Sequence, residues 1–192
     1  MSDQPHDFAA RFPGAIILPY EGTWPTIAGS AFIAPTSVVI GNVTIGEEAS
    51  IWFHTVVRGD IAPISIGARS NVQDLTMVHV NGDAPVVIGD DVTIGHSAII
   101  HGTTIGDRTL IGMGAIIMSY TTIGSEATIA AGALVAERTV IEDGTVWVGL
   151  PAKQRGQLDE HQREHLGAIP GRYVGVSRQY LQDQSGKNTD GR

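Results

Sequence analysis

The sequence predicts a mainly β fold: a parallel β-helix of triangular section that ends in a C-terminal α-helix. Three observations predict it. Aliphatic residues recur every six positions along most of the chain between Ile27 and Ile141. Glycine is frequent, 24 of 192 residues, yet it is scattered among Ile and Val and does not gather into linkers. Aromatic residues make up only 6% and charged residues 17%, the mixture of an aliphatic, turn-rich β protein. A hexad supplies one short strand and its corner, so three hexads close one coil and successive coils stack as parallel strands.

The repeat positions are Ile27, Ile33, Val39, Ile45, Ile51 and Val57, then Ile66, Val72 and Val78, then Ile88, Ile94 and Ile100. They continue through Ile105, Ile111, Ile117, Ile123, Ile129, Val135 and Ile141 to Trp147, and nineteen of these twenty are Ile or Val. Each is expected to point into a narrow interior and pack on its counterpart one coil away, at ~4.8 Å. The rhythm breaks three times. Nine residues separate Val57 from Ile66, an excursion through Asp60 to Pro63; ten separate Val78 from Ile88, which expels a loop at Asn81 to Pro85; and one residue is missing between Ile100 and Ile105. After Pro151 the hexads stop. Leu158, His161, His165 and Leu166, then Tyr173, Val176, Tyr180 and Leu181, have helical spacing, with a break expected near Gly167 to Gly171. The expected organisation is an N-terminal arm at 1–14, a β-helix of about seven coils at 15–152, a helical segment at 153–184 and a disordered tail at 185–192.

Composition removes several function classes. Twelve Lys and Arg against twenty Asp and Glu give a net charge of −8, the wrong sign for nucleic acid or an anionic membrane. With no Cys, disulfides, thiolate nucleophiles and Cys-built metal centres are excluded, so a metal would need His, Asp or Glu. The N-terminus lacks a basic stretch followed by an apolar run, and no apolar run reaches ~18 residues, so a cytoplasmic protein without a membrane partner is expected.

Counting hexads places the histidines. His79 follows Val78 and His101 follows Ile100, three hexads and therefore one coil apart, so the two are expected to stack on one face with Arg58 one coil below. That spacing lets both imidazoles reach one ion. His96 follows Ile94 by two places and belongs to another edge, with Asp74 one coil below it and Gln73 alongside. If the three histidines share an ion, His96 must come from a neighbouring chain, and half-sites on different edges of a triangular rod suit a closed ring of three. His6, His54, His161 and His165 read as solvated surface residues.

Arg58-Gly59-Asp60, Asn71-Val72-Gln73-Asp74, Val78-His79-Val80-Asn81, Gly95-His96-Ser97-Ala98-Ile99-Ile100-His101-Gly102 and Gly149-Leu150-Pro151-Ala152-Lys153 together resemble the gamma-class carbonic anhydrases and their close bacterial relatives, over roughly residues 15–180. The resemblance implies a left-handed hexapeptide-repeat β-helix and a homotrimer with a divalent metal at each interface, held by His79 and His101 of one chain and His96 of the next. Zinc is the first choice, with cobalt or ferrous iron also compatible. Arg58 and Asp60 would match an interface ion pair, and Gln73 and Asp74 the hydrogen-bonding groups around the reacting water. The implied reaction is reversible hydration of carbon dioxide to bicarbonate by a metal hydroxide, because three neutral imidazoles leave the ion's charge facing an open position. One departure stands out: active members carry glutamates after the Arg-Gly-Asp and in the loop beyond the first histidine, where this chain has Ile61 and Asp83. A coenzyme A-dependent hexapeptide-repeat acyltransferase and a metal-binding trimer without turnover are the alternatives.

Overall fold

The structure, a computed structural model, describes residues 8–184; His6, the start of the expected arm and the expected tail at 185–192 lie outside the described residues. Short strands wind into a β-helix whose third face alone carries seven coils: Phe32–Ile33, Ser50–Ile51, Asn71–Val72, Thr93–Ile94, Leu110–Ile111, Thr128–Ile129 and Thr145–Val148. The other two faces form one twelve-stranded sheet, joined where Val38–Ile45 and Val56–Ile66 run on from one face to the next. On the first face lie Met77–His79, Ile99–His101, Ile116–Ile117 and Leu134–Val135. On the second lie Val86–Ile88, Thr103–Ile105, Thr121–Ile123 and Val140–Ile141.

The interior follows the repeat. All nineteen Ile and Val repeat residues are at most 2% exposed, and they stack in register, as Val78 on Ile100 and Ile100 on Ile117. Corners are tied by backbone hydrogen bonds between coils at residues with positive φ: the N–H of Ser97 (φ 60°) donates to the Asp74 carbonyl, and that of Gly114 (φ 67°) to the His96 carbonyl.

Four expectations need correction. The excursion at Asp60 to Pro63 does not leave the sheet: Val56–Ile66 is one strand, and the extra residues are absorbed where its register against Val38–Ile45 shifts between Gly41 and Val43. Gly41 (φ 79°) allows this, since a Cβ there would stand 2.4 Å from the Gly59 carbonyl oxygen. Part of the expected arm is a plug. A short helix α1 (Phe8–Arg11) buries Phe8, with Phe12 behind it, in the open end of the coil, and the Arg11 guanidinium donates to the Ile27 and Ala28 carbonyls. A solenoid end exposes its core unless something covers it. Lys153–Gln157, read as helical, instead forms the one antiparallel strand among the described residues, on Thr145–Val148, and closes the other end.

Finally, α2 (Glu160–Gln184) is unbroken through Gly167, Pro170 and Gly171. Contacts at both ends hold it. Arg163 bonds Glu126 at 2.6 Å and Arg178 pairs with Glu48. Trp52 meets Tyr173 and Tyr180 edge-on, with ring centroids 5.4 and 5.7 Å apart. Tyr180 is thus committed to Phe32, Trp52 and Phe53 on the third face.

The Glu126 contact predicts a pH effect. Hydrogen bonds from Arg108 and then Arg163 hold the Glu126 carboxyl below its ordinary 4.5. A carboxylate whose folded pKa is depressed contributes its full stability above the unfolded value and loses it as pH falls through the folded one. Amides in the first turns of α2 should therefore lose hydrogen-exchange protection below about pH 4.5 before those of the coils, and Arg163→Gln should reduce that pH dependence.

Candidate metal centre

Parallel register builds the histidine pair. Arg58 lies opposite His79, and His79 opposite His101, on three adjacent strands of the first face. Because the stacked coils keep side chains of one ladder on one side, the imidazoles project together, with ring centroids 5.2 Å apart. His79 Nδ1 stands 3.2 Å from His101 Nε2.

The outer nitrogens are held. His79 Nε2 is 3.0 Å from Asp60 Oδ1, and His101 Nδ1 is 2.8 Å from Ser119 Oγ. Asp60 also pairs with Arg58 and accepts the Ile61 backbone N–H. Burial alone would raise the Asp60 carboxyl, but hydrogen bonds from His79, the Ile61 amide and Arg58 outweigh it and hold the group below the usual carboxylate value. Asp60 is therefore an ionised acceptor, which puts a proton on His79 Nε2; in the neutral imidazole the lone pair is then on Nδ1. When the His101 Nδ1–H donates to the Ser119 hydroxyl, the Nε2 lone pair of His101 faces the same point. In those tautomers the two inner nitrogens would suit a cation between them, whereas with the proton moved the 3.2 Å contact is an N–H···N hydrogen bond. Burial above all, and then the Arg58 guanidinium nearby, push the His101 imidazole below its ordinary pKa, so it favours the neutral form that binds metal.

These residues fit a divalent ion. Two nitrogens bound tetrahedrally at ~2.0–2.1 Å stand about 3.3–3.4 Å apart, against the 3.2 Å found. The outer partners are those a metal-bound histidine uses to fix its tautomer and orientation.

His96 stands on the other edge, at the corner between Thr93–Ile94 and Ile99–His101. Its Nδ1 is 2.8 Å from Asp74 Oδ2, which leaves Nε2 for another partner. Among the described residues no three metal-ligating side chains come together within one chain. Gln73 is buried, and its Nε2 donates to Asn71 Oδ1 at 3.0 Å, which turns the amide and leaves Oε1 as an acceptor.

Sequence reasoning missed two neighbours of the site. Ser119 holds His101. Tyr120 donates its hydroxyl to Asp83 at 2.6 Å and accepts from Asn81 Nδ2 at 3.0 Å, under the Arg138 guanidinium, so it fastens the expelled loop. Both follow Met118 at a corner; the hexad pattern marks the corner but not its partners. Ile61 is 54% exposed and offers no ionisable group.

A family model for the bacterial transferase hexapeptide (six repeats) matches residues 85–119 and 102–137. The chain is 44% identical over 171 residues to a carbonic anhydrase of Geobacillus kaustophilus (strain HTA426), covering 88% of this chain and 94% of that one. It is 39% identical over 167 residues to the mitochondrial gamma carbonic anhydrase 2 of Arabidopsis thaliana, covering 84% of this chain and 60% of that longer one. The crystal structure of a hexapeptide transferase family protein from Anaplasma phagocytophilum superposes with a TM-score of 0.83 at 39% identity, covering 86% of this chain and 98% of that one.

Proposed function

Because the chain belongs to the gamma-class carbonic anhydrase-like family of hexapeptide-repeat proteins, we propose that it hydrates carbon dioxide reversibly at a divalent metal shared between neighbouring chains of a homotrimer. His79 and His101 of one chain and His96 of the next hold the ion, with zinc the first candidate. The observation that carries this reading is the 3.2 Å approach of His79 Nδ1 and His101 Nε2, with both outer nitrogens engaged.

The trimer reading has separate support. Met77 and Ile99, 38% and 41% exposed, form an apolar ladder on the strands that end in the two histidines. Apolar side chains in such a row favour cover by a partner.

When bound, a divalent ion on three imidazoles supplies Lewis-acid activation of water near neutral pH. The chain's own groups do the rest. Asp60 fixes the His79 tautomer and Arg58 balances the charge of Asp60. Asp74 holds His96 by Nδ1. Gln73, its amide turned by Asn71, offers Oε1 to orient the reacting water. Proton export has no glutamate at position 61, and Asp83 is tied to Tyr120, so hydration is expected to rise with the concentration of an added buffer.

The purified protein should carry about one divalent ion per chain, and His79→Ala, His96→Ala or His101→Ala should each remove it and reduce hydration at least a hundredfold, read by elemental analysis and stopped-flow assay. Full occupancy in the His96→Ala protein would exclude His96 as a ligand. A loaded trimer without hydration would instead indicate an assembly role, and metal-free acyl transfer from coenzyme A would indicate a transferase.

A further inference from the structure

Between its two anchored ends, α2 stands off the third face. The gap is a cleft of about 460 Å³, walled by Leu110 and Met113 of the coils and by Ile169 and Tyr173 of the helix. A second cavity of about 380 Å³ continues along Leu158 and Leu166. Thr128 and His165 line both. At ~30 Å³ each, about fifteen water molecules would fill the first cavity alone, far more room than carbon dioxide needs. Apolar clefts of this size with a few polar groups are the usual form of a small-molecule site.

The polar groups here are unlike the rest of the surface. The chain carries twenty acidic residues, yet none among the described residues lines either cavity, while Arg172 does. The Thr128 hydroxyl is the one buried side-chain polar atom without a hydrogen-bond partner among the described residues, a state that costs stability unless something satisfies it. His165 and Arg172 are seven residues apart on α2, two turns and ~10 Å along one face. A cation thus lies in the cleft, with apolar walls between it and Thr128, whose unpartnered hydroxyl is buried just beneath the lining.

We propose that this cleft binds an elongated organic anion. Its carboxylate pairs with Arg172, its apolar chain lies along Leu110, Met113 and Ile169, and a hydroxyl or carbonyl at its far end meets Thr128 beside His165, the Thr128 side chain turning to bring its buried Oγ1 to the cleft. Gln73 and His96 border the same cleft, so the bound anion lies next to the candidate metal centre. Binding does not itself require the metal.

The test uses the assembled full-length protein, calorimetry, and methyl NMR of Leu110 and Ile169, with 6-hydroxyhexanoate, hexanoate and hexylammonium as probes. Both carboxylates should bind and shift those methyls, 6-hydroxyhexanoate more tightly, and hexylammonium should not. Arg172→Gln should weaken carboxylate binding about tenfold, the worth of one charge-assisted hydrogen bond. Thr128→Val should erase the preference for 6-hydroxyhexanoate with Tm unchanged or raised. Four results would overturn the proposal: no methyl shift with either carboxylate, as when a neighbouring chain fills the cleft; equal binding by Arg172→Gln; hexylammonium binding as well as hexanoate; or a lowered Tm for Thr128→Val, which would mean that the fold already satisfies the hydroxyl. Metal content and hydration are read separately, so failure here leaves the metal centre untouched.

Discussion

When His79→Ala and His96→Ala chains, each without metal, are unfolded together in equal amounts and reassembled, about one quarter of the sites should regain metal and hydration activity. The figure follows from ring closure with random neighbours. A site is whole only when the chain giving His79 and His101 is the His96→Ala protein and the next chain is the His79→Ala protein, two independent choices of about one half each. The control is the pair His79→Ala and His101→Ala. Those residues lie opposite each other on adjacent strands of one face, so mixing should restore nothing. Recovery in the control but not in the first pair would reverse the assignment of half-sites, and recovery in neither would mean that one chain supplies all three histidines.

The second large effect separates two adjacent isoleucines. Ile100 is fully buried between Val78 and Ile117, and Ile100→Ala should lower unfolding stability by about 2–5 kcal/mol, the cost of lost burial plus a cavity that a close-stacked solenoid cannot collapse. Ile99, 41% exposed, points outward between Met77 and Ile116. Ile99→Asp should leave the coil folded, because it removes no interior contact, but should disperse the proposed trimer by placing a charge in the interface assigned to this face. Denaturant titration reads the first effect and sedimentation the second. A trimer that survives Ile99→Asp would move the interface to another face.

How far the sequence reached depends on whether a feature repeats. A hexad that closes a third of a coil puts each interior residue on its counterpart by counting alone. The aliphatic stack, the first-face ladder of Arg58, His79 and His101, and the separate edge of His96 were therefore legible without coordinates. The same counting failed at the Asp60 to Pro63 insertion. Insertion length does not say whether extra residues leave the sheet or widen a strand, and the close approach of Gly41 to Gly59 decided it.

What does not repeat was settled by tertiary packing. The open end of the coil recruits Phe8 and Phe12 as a plug, and the other end takes Lys153–Gln157 as an antiparallel strand, because both ends expose core and backbone that local propensity does not count. α2 runs through Gly167, Pro170 and Gly171 because its two ends are held by Arg163–Glu126, Arg178–Glu48 and the Trp52 cluster. Ser119 on His101, Tyr120 on Asp83 and the orphaned Thr128 hydroxyl all lie on positions that the repeat leaves free to vary. The sequence by itself determined the coil and the two edges that carry the candidate metal-binding histidines, since a period carries its own spatial register. Only the tertiary structure decided the ends, the unbroken run of the helix and the cleft beneath it, since those depend on contacts between segments that share no period.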